Sequence, residues 1–119
     1  SAEDLALVVL ARAFPAEVAR PIPLASPVAG EFTLHAFRRD APDHPSPVST
    51  CYRLATLPGL LGLDCRAVSG NSGAPLLQRV KGGWQVVAIM VAASDTGPVH
   101  SWATLPPDWV LHRSALPMQ

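Results

Sequence analysis

Proline and glycine interrupt this chain at short intervals, and that spacing decides what it can fold into. Pro15, Pro21, Pro23 and Pro27 stand too close together for a helix or an interior strand, because proline brings no backbone N–H to either. Further on, Pro58-Gly59, Lys81-Gly82-Gly83 and Thr96-Gly97-Pro98 separate short β-prone runs. Short strands alternating with turns of this kind predict an all-β fold, an antiparallel barrel.

Along the chain, Asp4-Leu5-Ala6-Leu7-Val8-Val9-Leu10 reads as a strand opened by an acid, and residues 11–30 as a crossover linker lying on a surface. Glu31 to Phe37 alternates, with Phe32, Leu34 and Ala36 on one face, so it opens a barrel spanning residues 31–119. Arg38 to Pro47 reads as an exposed loop. His44 within it is expected to be solvated, since no second ligand stands at metal spacing, and no metal or other cofactor is called for. Ser49 to Leu57 and Leu60 to Cys65 form a hairpin around Pro58-Gly59. Residues 74–80, 84–93 and 100–105 give three further strands, the second being the most β-prone run, with Val86, Val87, Ile89 and Val91. Residues 106–113 predict a short C-terminal helix with proline in its first turn.

One modest domain fits the 119 residues, and 49% hydrophobic content argues against disorder. Nine Lys and Arg balance nine Asp and Glu, so there is no net field to attract nucleic acid or an anionic membrane. No apolar stretch reaches the length of a membrane span, and any signal peptide is expected upstream of Ser1. Cys51 and Cys65 are spaced either for a disulfide across the hairpin or as two buried free thiols.

The chemistry is concentrated in Ser69-Gly70-Asn71-Ser72-Gly73-Ala74-Pro75. A serine between glycines has an unobstructed hydroxyl, and its small neighbours let the backbone aim a pair of N–H groups at one point. The same residues also suit a plain tight turn between strands. An α/β-hydrolase triad drawn from Ser72, Asp95 or Asp108, and His100 or His112 is set aside, because Ala74 and Pro75 break the required motif and the chain is too short for that fold.

Asp4-Leu-Ala-Leu and Gly70-Asn-Ser-Gly-Ala-Pro together resemble the aspartate strand and serine loop of the trypsin-like, chymotrypsin-fold serine proteases, in that family's order. The Gly-Asn-Ser-Gly form resembles its bacterial glutamyl-endopeptidase branch. The resemblance implies a serine endopeptidase of two β-barrels, seen here as the last strand of the first (1–10), the inter-barrel linker (11–30) and the second barrel. In Arg20-Pro21-Ile22-Pro23-Leu24 it implies that the isoleucine and leucine pin the linker to the core.

Ser72 is then the nucleophile, Asp4 orients a histidine, and the N–H groups of Gly70 and Ser72 form the oxyanion hole. The family's histidine precedes the aspartate, so none of His35, His44, His100 or His112 takes that role. The first barrel is expected on a partner chain, or lost by truncation, with the isolated chain left sticky or dimeric. Arg66 falls at the floor of the primary specificity pocket, where it attracts an acidic side chain or points to solvent. Val91, Ala92 and Ala93 match the strand edge that pairs with a peptide or protein substrate. Asn71 replaces the family's aspartate, so no amine-driven activation switch is expected. The resemblance also favours a Cys51–Cys65 disulfide and an extracytoplasmic location, periplasmic or secreted. The alternative is a catalytically inactive, protease-like module that binds peptides or a protein.

Overall fold

The computed structural model describes residues 4–114. They form a mostly β structure with one short helix, in the order β1 (Phe32–Leu34), β2 (Phe37–Arg38), β3 (Ala41–Pro45), β4 (Ser49–Cys51), β5 (Arg53–Leu57), β6 (Leu60–Leu63), β7 (Pro75–Val80), β8 (Gly83–Ala93), β9 (Ser101–Thr104) and α1 (Asp108–Ser114).

Seven strands make one antiparallel sheet in the order β4-β1-β7-β8-β9-β6-β5. Its two edge strands are consecutive in the chain and separated only by Tyr52, so the sheet must curl until its edges approach each other. Tyr52 is stitched to the end of β6: its N–H donates to Asp64 Oδ1 at 2.8 Å, and its carbonyl accepts from Asp64 N–H at 3.1 Å. The disulfide Cys51–Cys65 closes the same seam.

The alternation in residues 31–37 is realised: Phe32 and Leu34 of β1 and the following Ala36 are buried. They join Cys51, Leu61, Leu63, Cys65, Ala74, Leu76, Val87, Ala88, Met90 and Ala103 in the core. Burying side chains such as Phe32, Leu61, Leu63 and Leu76 stabilises the fold by roughly 1.5–3 kcal/mol each. The hairpins β5–β6 and β7–β8 turn through Pro58-Gly59 and Lys81-Gly82, where the sequence places turns. In α1, Asp108 in the first turn and His112 and Arg113 in the last complement the helix dipole, and Val110 docks on the core.

Three expectations are corrected. Residues 4–10 form no strand: no strand of the described residues pairs with them, and Val8, Val9 and Leu10 are exposed. In the linker, Ile22 is exposed. Leu24 makes the attachment through a parallel bridge to Val86, with Ala25 N–H donating to Val86 O and Val86 N–H to Pro23 O. The buried Gln78 adds a second clamp, accepting from Val28 N–H at 2.9 Å and donating to Val28 O at 2.8 Å. Finally, Arg38 to Pro47 is no plain loop but contains the exposed two-stranded ribbon β2–β3. Prolines 42 and 45 are tolerated there because neither strand has a second neighbour.

Candidate functional site

The serine loop joins β6 to β7 and is pinned at both ends. At its start, Ser101 Oγ of β9 donates to Cys65 O at 2.6 Å. At its end, Gly73 N–H donates to Met90 O at 2.8 Å and Met90 N–H donates to Ala74 O at 2.9 Å, extending the β7–β8 ladder into the loop.

Between these anchors the backbone makes two successive tight turns. Asn71 N–H bonds Val68 O at 3.0 Å, and Ala74 N–H bonds Asn71 O at 3.0 Å. The third residue of each turn is a glycine at positive φ, Gly70 at 99° and Gly73 at 86°, while no non-glycine residue among the described residues has positive φ. That combination is the signature of type II turns, and only glycine enters it without strain.

Ser72, second residue of the second turn, is exposed, and its hydroxyl bonds to no described residue. The amides around it divide into two sets. Those of Asn71 and Gly73 are spent on Val68 and Met90. Those of Gly70 and Ser72 donate to no acceptor among the described residues. Because no peptide here is cis, each N–H points opposite to the carbonyl of its own peptide. The Ser69 carbonyl accepts from Arg39 N–H at 2.8 Å and the Asn71 carbonyl from Ala74 N–H, so Gly70 N–H and Ser72 N–H are turned away from those partners.

Asn71 is buried and fully committed. Its Oδ1 accepts from Val68 N–H at 2.9 Å, and its Nδ2 donates to Phe37 O of β2 at 2.6 Å. The ribbon therefore grips the loop twice, through Phe37 and through Arg39. Sequence reasoning missed this contact: it uses main-chain atoms of a proline-rich stretch whose composition reads as loop.

Val91, Ala92 and Ala93 lie at the end of β8, beyond the clamp at Met90. Ala92 and Ala93 pair with Trp102 and Ser101 of β9, and Val91 is the extra residue at a bulge. On the opposite side the β7 ladder has ended, so these three residues have no ladder partner there among the described residues. The Gly73–Met90 bond thus brings the serine loop and this open edge together. Arg66 is exposed and, with Arg38, Ser46, Pro47 and Asn71, lines a surface hollow of about 240 Å³ beside the loop. Arg38 is paired with Asp40 at 3.1 Å. Asp4 is exposed and makes no hydrogen bond or ion pair with a described residue, so the structure does not join it to Ser72 or to any histidine.

No protein-family model matches the chain. Comparison with curated proteins likewise finds no significant match.

Proposed function

We propose that this chain is the serine-bearing part of a trypsin-like serine endopeptidase, its curled sheet being the second barrel of a chymotrypsin-like pair. The observation that carries the reading is the exposed Ser72 flanked by two unpaired amides, those of Gly70 and Ser72 itself, while the neighbouring amides of Asn71, Gly73 and Ala74 are hydrogen-bonded. A binding surface has no need to leave alternate N–H groups open, whereas an oxyanion site does; such a donor contributes about 3 kcal/mol to transition-state stabilisation.

In this reading Ser72 Oγ bonds to the peptide carbonyl carbon while its proton passes to a histidine supplied by the first barrel. The carbonyl oxygen, now negative, takes the N–H groups of Gly70 and Ser72. The C–N bond then breaks, the histidine returns the proton to the leaving amine, and water hydrolyses the ester on Ser72. Asp4 orients the histidine once a first barrel packs over residues 4–10. Val91 to Ala93 offer the substrate backbone an edge, and Arg66 faces its side chains. The disulfide fits an oxidising compartment, and we place the protein in the periplasm or outside the cell.

The test is labelling with a fluorophosphonate probe, alone and with any co-purifying chain, followed by peptide mapping. An adduct on Ser72 supports the reading. The second reading, an inactive peptide-binding module, is favoured by the open edge at residues 91–93, which can take an added strand without chemistry. It predicts no adduct but retained peptide binding.

A further inference from the structure

The hollow of about 240 Å³ beside the serine loop is lined by residues of β1, β4 and the loop itself, and it is furnished differently from the rest of the inward face. Leu34, Ala36, Pro47 and Val68 give it apolar walls. The side chain of Asn71, held by Val68 and Phe37, gives it a fixed polar one. Ser49 stands opposite Leu34 in the β1–β4 register, so it shares the face on which Phe32, Leu34 and Cys51 pack. Alternation calls for an apolar side chain there, and the chain has a hydroxyl.

Three donors at the hollow lack a partner. The hydroxyls of Ser46 and Ser49 bond to no described residue, and Ser46 Oγ is closed off from solvent. Native structures leave few enclosed polar atoms unpaired, so one beside an open hollow calls for an explanation. No hydrogen bond holds the Ser46 rotamer, and a ligand oxygen in the hollow can draw the hydroxyl toward itself. Arg66 adds a guanidinium with no ion pair to a described residue, and no Asp or Glu lines the hollow. The neighbouring Arg38 is already neutralised by Asp40 at 3.1 Å.

One uncompensated positive charge, two hydroxyls and an apolar wall match a single carboxylate on a short aliphatic body. A phosphate dianion brings twice the charge and nothing to cover Leu34 and Val68. The volume lies below the roughly 300–1,000 Å³ of drug-sized sites, which suits a ligand of few atoms.

We propose that this hollow binds a small organic carboxylate, with Arg66 taking the charge, Ser46 and Ser49 donating to the carboxylate oxygens, and the apolar wall covering the aliphatic body. A free branched acid and the C-terminal leucine of a peptide offer the same chemistry. The proposal does not rest on the protease reading, since neither Ser72 nor any of Val91 to Ala93 lines the hollow. Val68 and Asn71 belong to both the hollow and the serine loop, so the ligand binds only the folded loop and occupancy stabilises it.

The test is a titration of the full disulfide-bonded chain with isocaproate, followed by amide resonances, with neutral isocapramide and inorganic phosphate as controls at matched ionic strength. Isocaproate should give saturable shifts at Ser46, Ser49, Val68 and Asn71 in the millimolar range, as befits so few atoms. Isocapramide and phosphate should bind far more weakly. Arg66→Gln, a change at an exposed residue, should weaken isocaproate binding on the order of 10-fold, the value of one charge-assisted hydrogen bond. Ser46→Ala should also weaken it while leaving the thermal stability of the ligand-free chain undiminished, because that hydroxyl has no bond to lose. Acetyl-Ala-Leu with a free carboxylate, set against its C-terminal amide, identifies the source: tighter binding than isocaproate assigns the site to a chain terminus, weaker binding to a free acid, and either upholds it. Absence of saturable shifts, equal binding of isocapramide or phosphate, or unchanged affinity in Arg66→Gln overturns the proposal. Shifts centred on Val91 to Ala93 also overturn it, because the carboxylate then occupies the open strand edge.

Discussion

Gly73 donates its backbone N–H to the carbonyl of Met90 at 2.8 Å, and this one bond fixes where Ser72 stands relative to the sheet. Met90 is a buried residue of β8, the central strand of the seven-stranded sheet, so the loop is attached to the interior of the fold. One residue further along, β8 loses its β7 neighbour and presents Val91 to Ala93 with an open side. An exposed hydroxyl and an open strand edge therefore share one anchor.

Asn71→Asp should destabilise the protein although it changes only an amide nitrogen to oxygen. The buried Nδ2 donates to Phe37 O, and a carboxylate there would face a carbonyl with nothing to donate. The expected loss is about 1–3 kcal/mol. The introduced group is held protonated in the folded state, so its folded pKa lies above its unfolded value. Stability is then greatest at acid pH and falls as pH rises through the folded value. Urea unfolding of the two proteins at acid and neutral pH checks both size and sign.

Two glycines of the loop should respond unequally to alanine. Both have positive φ, which costs an alanine about 1–2 kcal/mol. At Gly73 the new Cβ meets nothing within 4 Å, whereas at Gly70 it meets Arg39 N at 2.4 Å. Gly70→Ala should therefore lose clearly more stability than Gly73→Ala in parallel denaturation curves, and it should disturb the amide resonances of Arg38 and Arg39.

Replacing Cys51 and Cys65 together by alanine should lower stability by about 3 kcal/mol, the loop-closure value for a sequence separation of 14. Both cysteines are buried, so native protein should resist reductant until it is partly unfolded. Thermal unfolding with and without reductant measures both effects.

Tyr52 should titrate above its ordinary value of 10.0. Its hydroxyl donates to Glu31 Oε2 at 3.1 Å, and the charges of Glu31 and then Asp64 oppose a phenolate. Its folded pKa exceeds the unfolded one, so its small contribution to stability is present below the unfolded value and fades as pH rises through the folded value. Glu31→Gln should move the titration back toward 10.0. Tyr52 is the chain's single tyrosine, so the ultraviolet absorbance of tyrosinate reports it alone.

The hairpin at Pro58-Gly59, the turn at Lys81-Gly82, the strands β1, β7, β8 and β9 and the terminal helix were legible because each follows from a local signal: a turn pair, an alternation, a β-branched run or prolines before an acid. Residues 4–10 misled for the same reason. Their β-prone composition is real, but a strand needs a partner, and none of the described strands provides one. Likewise the pairing of Cys51 with Cys65, left open by their spacing, became definite only with the seam between β4, Tyr52 and the end of β6.

At the site, the sequence by itself determined the ingredients: a small-residue loop, a serine with room around it, and glycines where positive φ is needed, all of which depend on neighbours in the chain. It did not determine the direction of any N–H in that loop. That was decided by Arg39, Phe37 and Met90, which stand between 17 (Met90 to Gly73) and 34 (Phe37 to Asn71) residues along the chain from the residues they bind. A peptide's two faces are nearly equivalent until something fixes its carbonyl, and only tertiary packing brings that partner within hydrogen-bond distance.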